Sequence, residues 1–175
     1  MLRLRPYKAC DAHSIVSWTG DVRAFRQWSA DRFDRFPITG EDLDRYYRSF
    51  DGSDSFFEMT AFDETGPAGH MIMRFTDEKK SVVRFGFIIV DKRRRGQGLG
   101  REMLELAVRY AFEILKAEKI TLGVFENNPR AYRCYLSAGF TLSPEEAAEH
   151  YTILDEDWKC LQLQLTRHDF MAAKR

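Results

Sequence analysis

Several things are scarce in this 175-residue chain. It has 3 cysteines, Cys10, Cys134 and Cys160, and an odd, sparse set does not make a disulfide framework. Its 4 histidines, His13, His70, His150 and His168, are scattered. No Cys/His group has metal-ligand spacing, so no metal site is expected. No apolar run approaches the roughly 20 residues of a membrane span. The opening Met1-Leu2-Arg3-Leu4-Arg5-Pro6 lacks the pattern of a signal peptide, and a cytoplasmic protein without membrane attachment is the expectation. Net charge is missing too, with 27 acidic and 27 basic residues, which lends no support to general nucleic-acid binding. Repeats, low-complexity tracts and linkers are absent, and residues 1–175 read as a single domain.

What is present can build a core. Hydrophobic residues make up 44%, with 14 Phe, so disorder is excluded. The informative stretch is Arg93-Arg94-Arg95-Gly96-Gln97-Gly98-Leu99-Gly100. It lies between an apolar run, Val82 to Val90, and a helical pattern that starts near Leu99. Glycines at alternate positions let backbone N–H groups approach an anion, and a helix N-terminus adds partial positive charge. A P-loop would need Lys-Ser/Thr after the last glycine, whereas Arg101 and Glu102 follow Gly100. In a dinucleotide fingerprint the third glycine would come one residue later. The basic run Lys92 to Arg95 is a solvated loop on its own and an anion-binding one beside such a cradle.

A second motif follows: Asn128-Pro129-Arg130-Ala131, then Tyr135, then Gly139-Phe140. Asn128 suits an N-cap, Pro129 the first helical position and Gly139 the left-handed residue past the helix end. A short helix from about Pro129 to Ala138 follows. The remaining patterns predict a strand at Leu2–Arg5, helices near 9–18, 22–30 and 42–50, and a hairpin of strands 55–63 and 69–76. A third strand spans Val82–Val90, a long amphipathic helix Leu99 to about Ala117, and strands Lys119–Phe125, Phe140–Leu142 and Trp158–Thr166 complete the order. No motif speaks between Ser143 and Tyr151. The class is α/β with a mixed sheet.

The loop Arg-x-x-Gly-x-Gly from Arg95 to Gly100, with Asn-x-x-Ala-x-x-x-Tyr-x-x-x-Gly-Phe from Asn128 to Phe140, resembles the GNAT superfamily of N-acetyltransferases. The resemblance is specific from about Val82 to Phe140. It implies a mostly antiparallel central sheet of about seven strands flanked by helices and splayed between strands 4 and 5, with acetyl-CoA as acetyl donor in the split. It also implies that Arg95, Gly96, Gln97, Gly98, Leu99, Gly100 and Arg101 hold the pyrophosphate. Ile88, Ile89 and Val90 would pair with the pantetheine arm. Asn128 would cap its helix and bond that arm. Tyr135 would stand near the cofactor sulfur, either as general acid or as an aromatic packed on the sheet. The family's base, a glutamate early in the preceding strand, falls near Arg84, which cannot serve. Glu126 is the nearest alternative acid, working through water or standing as a solvated loop carboxylate.

The implied activity is acetyl transfer to a primary amine of a small molecule or peptide, in a ternary complex. The alternative is a coenzyme A-binding sensor or interaction module without chemistry. Asp21, Asp31 and Asp34, with Trp18 and Trp28, would form the acceptor pocket. Nucleic-acid binding through Lys92 to Arg95 is disfavoured, because the run is short and lacks interleaved aromatics. The strand Trp158 to Thr166 could lie at a sheet edge and pair with a second copy, which leaves monomer and homodimer open.

Overall fold

The computed structural model describes residues 1–173. It opens with β1 (Arg3–Pro6), a short turn at Ala9–Asp11, and helices α1 (Ala12–Ser17), α2 (Val22–Ser29) and α3 (Gly40–Arg48). Strands β2 (Phe56–Asp63), β3 (Gly66–Phe75) and β4 (Val82–Val90) form a meander. Helix α4 (Leu99–Arg109) continues into a wider turn at Tyr110–Ile114, where Leu115 N bonds Tyr110 O at 3.0 Å. β5 (Lys119–Phe125), α5 (Pro129–Ser137), β6 (Thr141–Leu142), β7 (Glu149–Ile153), β8 (Glu156–Thr166) and α6 (Arg167–Ala173) follow.

The sheet runs β1-β2-β3-β4-β5-β8-β6, with β7 also on β8. Only β4 and β5 are parallel, and they pair over four residues, Val82–Phe85 against Lys119–Leu122. Beyond Phe85 the two strands part. All seven residues of β5 instead pair with β8. The expected splay between the fourth and fifth strands is therefore present.

Hydrophobic patterning fixes the layers. Met103, Leu104, Ala107 and Val108 of α4 recur at helical spacing and are buried against Met59, Met71, Val83, Phe85 and Ile120 on one sheet face. On the other face Ile15, Phe25, Leu43 and Tyr47 of α1–α3 cover Phe56, Ile72, Phe87 and Ile89. Gly40 lets α3 approach α1, since a Cβ there would lie 3.1 Å from the His13 backbone nitrogen. Buried polar contacts pin these helices to the sheet. Arg5 forks onto Asp11 at 2.7 and 2.8 Å, and Thr60 Oγ1 donates to Asp11 at 2.9 Å. The Tyr47 hydroxyl is 2.6 Å from His70 Nε2.

Two expectations change. Residues 149–153 form a strand, because Leu154 and Asp155 both take left-handed backbone (φ 53° and 59°) and turn the chain into a hairpin with β8. Such turns are usually marked by Asn-Gly, a signal absent here. β8 in turn is not an edge. β5 lines one side of it and β6 and β7 the other, so it offers no free ladder to a second copy.

His70 generates a test. It is completely buried, and burial pushes its imidazole pKa down to about 3. That lies below the unfolded value of about 6.5, so the unfolded chain takes up the proton first as pH falls. Stability is full above about 6.5 and declines toward the folded pKa. Urea unfolding should show His70 contributing a loss of up to about 2 kcal/mol between about pH 6.5 and 5. His70→Gln should flatten that slope, and an unchanged slope would remove His70 as its cause.

Candidate active site

The parting of β4 and β5 opens a cavity of about 530 Å³ that runs through the sheet. At one end lie Arg95, Gly96 and Gly98 of the glycine loop with Leu99, Gly100 and Arg101 of α4. Its wall is β4 from Phe85 to Val90 on one side and Gly123 and Val124 of β5 on the other. α5 contributes Ala131, Cys134 and Tyr135, and Ala24, Gln27 and Trp28 of α2 close the far end.

The cradle has the geometry its sequence implies. Gly96 and Gly98 take left-handed backbone (φ 82° and 80°), which glycine adopts without steric cost. A Cβ at Gly98 would meet nothing within 4 Å, so the loop opens onto free space. Gly98 is the N-cap of α4 and offers no side-chain acceptor, which leaves the first N–H groups of the helix directed at the cavity end.

The basic run divides. Arg93 is held by Asp91 at 2.8 Å, and Arg94 is paired with Asp63. Each arginine holds its partner carboxyl below the usual carboxylate range. These two charges brace the turn after β4, although Arg94 also lines the cavity. Arg95 donates to the Trp18 carbonyl at 3.1 Å and has no carboxylate partner. Burial and the neighbouring Arg130 lower its pKa. Arg130, which the sequence reading passed over inside its own motif, places Nη2 4.0 Å from where a Gly96 Cβ would sit. The spacing of the Asn-x-x-Ala turn was its one available signal. Gln97 is exposed and lies outside the cavity lining.

β4 carries the second element. Its register against β3 slips between His70 and Ile72, and Phe87 takes φ 47°. The extra residue is a β-bulge, which turns a strand and re-aims its groups. Because β5 leaves after Phe85, the outer edge from Gly86 to Val90, Ile88 and Ile89 included, has no strand partner. Backbone N–H and C=O groups on that edge face the cavity wall and call for a partner.

Tyr135 is buried on α5 and lines the cavity, and burial pushes its phenol pKa up. Asn128 accepts from Ala131 N at 3.3 Å, which caps α5, and also lines the cavity. Glu126 is exposed, its carboxylate 3.7 Å from Lys159 Nζ, and it does not line the cavity. The three expected pocket carboxylates lie elsewhere. Asp21 caps α2 through Ala24 N, Asp31 pairs with Arg32, and Asp34 is exposed. Trp28 lines the cavity, whereas Trp18 is buried in the core. Arg84 donates to Gln162 Oε1 at 3.0 Å.

α2 spans the split. Gln27 Nε2 donates to the Asn127 carbonyl and side chain at 3.1 Å, and Arg23 meets Glu156 at 3.1 Å with its guanidinium over Trp158.

A split sheet with a glycine cradle on one side and a free strand edge along the split is the arrangement of an acyl-group transferase. Residues 22–140 match the Acetyltransferase (GNAT) family, and the chain belongs to it. A spermine/spermidine N(1)-acetyltransferase of Bacillus subtilis (strain 168) is 36% identical over 69 residues, which are 39% of this chain and 45% of that protein. The matched segment thus spans under half of that relative. The spermidine N-acetyltransferase of Vibrio cholerae, solved in complex with CoA and spermine, superposes with a TM-score of 0.81 at 20% identity, over 97% of this chain and 98% of that one. A structure of the same organism's spermidine/spermine N-acetyltransferase SpeG with manganese ions gives a TM-score of 0.76 at 19% identity, over 99% and 97%. Likeness at this identity shows a common fold. Among the described residues no helix is long and apolar enough to cross a membrane.

The cradle is tested by Gly98→Asp. Aspartate tolerates left-handed backbone better than most residues, so the fold should stand with a lowered melting temperature. A carboxylate facing the phosphate position should weaken coenzyme A binding about thirtyfold or more, or about 2 kcal/mol by calorimetry. Unchanged affinity would take the loop out of the site.

Proposed function

We propose that the protein transfers the acetyl group of acetyl-CoA to a primary amine, with both bound at once at opposite ends of the cavity. The observation that carries this reading is the continuity of the cavity from the glycine cradle, past the unpaired edge of β4, to α2.

The residues fit the donor. Arg95, Gly96, Gly98 and the N-terminus of α4 suit a pyrophosphate, with Arg130 adding charge at the rim; Arg101, which also lines the cavity, is paired with Glu105 at 2.7 Å. The unpaired edge at Ile88–Val90 suits an arm carrying amide groups, which would extend the sheet in place of the departed β5. Asn128, capping α5, keeps its NH2 group for the same arm. The bound donor supplies an acetyl group activated as a thioester.

The chain's own groups then divide the work. The bulge at Phe87–Ile88 aims a backbone N–H at the thioester oxygen, where developing negative charge is stabilised in a site shielded from water. Holding donor and amine in one channel supplies the positioning that dominates bimolecular catalysis. Tyr135 keeps its proton because burial disfavours the phenolate; it would lend that proton to the sulfur as the C–S bond breaks, and the proton lost from nitrogen as the amide forms would restore the phenol. No carboxylate or imidazole lines the cavity among the described residues. The incoming ammonium therefore gives its proton to solvent at the mouth rather than to Glu126. The neutral fraction of the free amine sets that step, about one in a few thousand at neutral pH for a lysine-like amine.

The reading is tested by thiol release from acetyl-CoA with a panel of primary amines. Tyr135→Phe should lower kcat about a hundredfold or more and leave the coenzyme A Kd unchanged. The wild-type kcat should show no alkaline downturn below about pH 10, the ordinary phenol value. Tight acetyl-CoA binding with no turnover of any amine would leave the protein a binding module.

A further inference from the structure

The sheet face beside the far end of the cavity carries two opposed basic residues. Arg74 and Arg84 are directly opposed on β3 and β4, a placement that brings Cβ atoms to about 4.5–5.5 Å. Both lie on the sheet face of Ile72 and Gly86, under α1–α3. Arg84 reaches toward the split, its Nη2 2.9 Å from the point a Gly123 Cβ would occupy, and Gly123 lines the cavity. One hydrogen bond, to Gln162, leaves most of the five guanidinium donors of Arg84 unused.

Arg74 has no hydrogen bond or ion pair among the described residues, although it is half-buried. Burial and the like charges of Arg84 and Arg32 lower its pKa. Tyr46 packs on Phe87 at 5.6 Å, and Phe87 on Trp28 at 5.0 Å; Phe87 and Trp28 line the cavity, and Arg74 and Arg84 are not themselves among the lining residues. Trp28 adds a buried Nε1–H with no partner, and indole is a donor only. Asp31 pairs with Arg32, and Glu149 accepts from the Tyr151 hydroxyl at 2.7 Å. Two half-buried arginines on opposed residues, without an ion pair among the described residues, are costly, and the unpartnered groups here are all donors.

We infer that the acetyl acceptor carries an anionic group beside its amine, and that the guanidinium groups of Arg74 and Arg84 hold it. The inference rests on the acetyltransferase reading of the cavity. Arginine forks match carboxylate and phosphate alike, through paired N–H donors. With that group bound, the amine points along the cavity toward the bulge of β4. A polyamine, the substrate in the names of the relatives above, would bring only positive charge to these two arginines.

The test compares amines matched in all but the anion: ornithine against putrescine, and phosphoethanolamine against ethanolamine, at saturating acetyl-CoA. In at least one pair kcat/KM should favour the anionic member by about tenfold or more. That preference should fall below about threefold in Arg74→Gln and in Arg84→Gln, with coenzyme A affinity unchanged as the check on folding. The responsive pair tells carboxylate from phosphate. Equal or better use of putrescine and ethanolamine, or a preference that survives both substitutions, would overturn the inference and leave the acetyltransferase reading intact. If acetyl-CoA binds but none of the four amines turns over, the acetyltransferase reading is what fails. Calorimetry of ornithine and phosphoethanolamine on the coenzyme A complex then decides the anion site. Binding lost in the variants sustains it, and no binding overturns it.

Discussion

The parting of β4 from β5 after four parallel pairs is the constraint on which the site depends. A strand that loses its neighbour leaves N–H and C=O groups without partners, and such groups are paired in folded proteins by backbone, water or ligand. Here the bared edge is also bulged, and the fork is floored by residues without side chains, Gly86 on β4 and Gly123 on β5. The cavity is therefore a product of backbone topology first. β5 is free to leave because β8 accompanies it along its whole length, so the split does not leave β5 unpaired on both sides.

Charge is distributed to match. Several arginines are consumed within the fold: Arg5 on Asp11, Arg93 on Asp91 and Arg94 on Asp63. Each closes a local structure, the first tying β1 to the start of α1, the second closing the turn after β4 on itself, and the third tying that turn to the β2–β3 hairpin. Arg95 and Arg130 at one end of the cavity, and Arg74 and Arg84 near the other, have no such carboxylate. A protein of zero formal charge thus keeps several arginines without an ion pair among the described residues, at or beside one cavity.

Much of this was legible in the sequence where local rules decide conformation. The left-handed glycines of the cradle, the Asn128 cap with Pro129 behind it, and the apolar rows of α4 each follow from a single segment. What depends on pairing at a distance was not legible. β7 exists because β8 templates it, and its turn uses Leu154 and Asp155 at backbone angles that neither residue advertises. The strand from Trp158 reads as an edge until β6 and β7 are known to lie against it. Asp21, Asp31 and Asp34 looked like pocket acids because they sit among aromatics, yet one caps a helix and another pairs with its neighbour. Arg74 and Arg84 drew no notice as an acceptor feature because their opposition is a matter of register between β3 and β4.

The three helices over the acceptor side are not fastened alike. α1 and α3 are anchored by buried contacts, Asp11 to Thr60 and Tyr47 to His70, and their backbones meet at Gly40. α2 instead reaches across the split to the β5–β8 half, through Gln27 on Asn127 and the exposed pair of Arg23 and Glu156. Exposed ion pairs are weak and screened by salt. α2 thus bridges the two halves of the split through a pair that salt screens and an amide contact that it does not, while Phe25 on its inner face keeps it seated on the core.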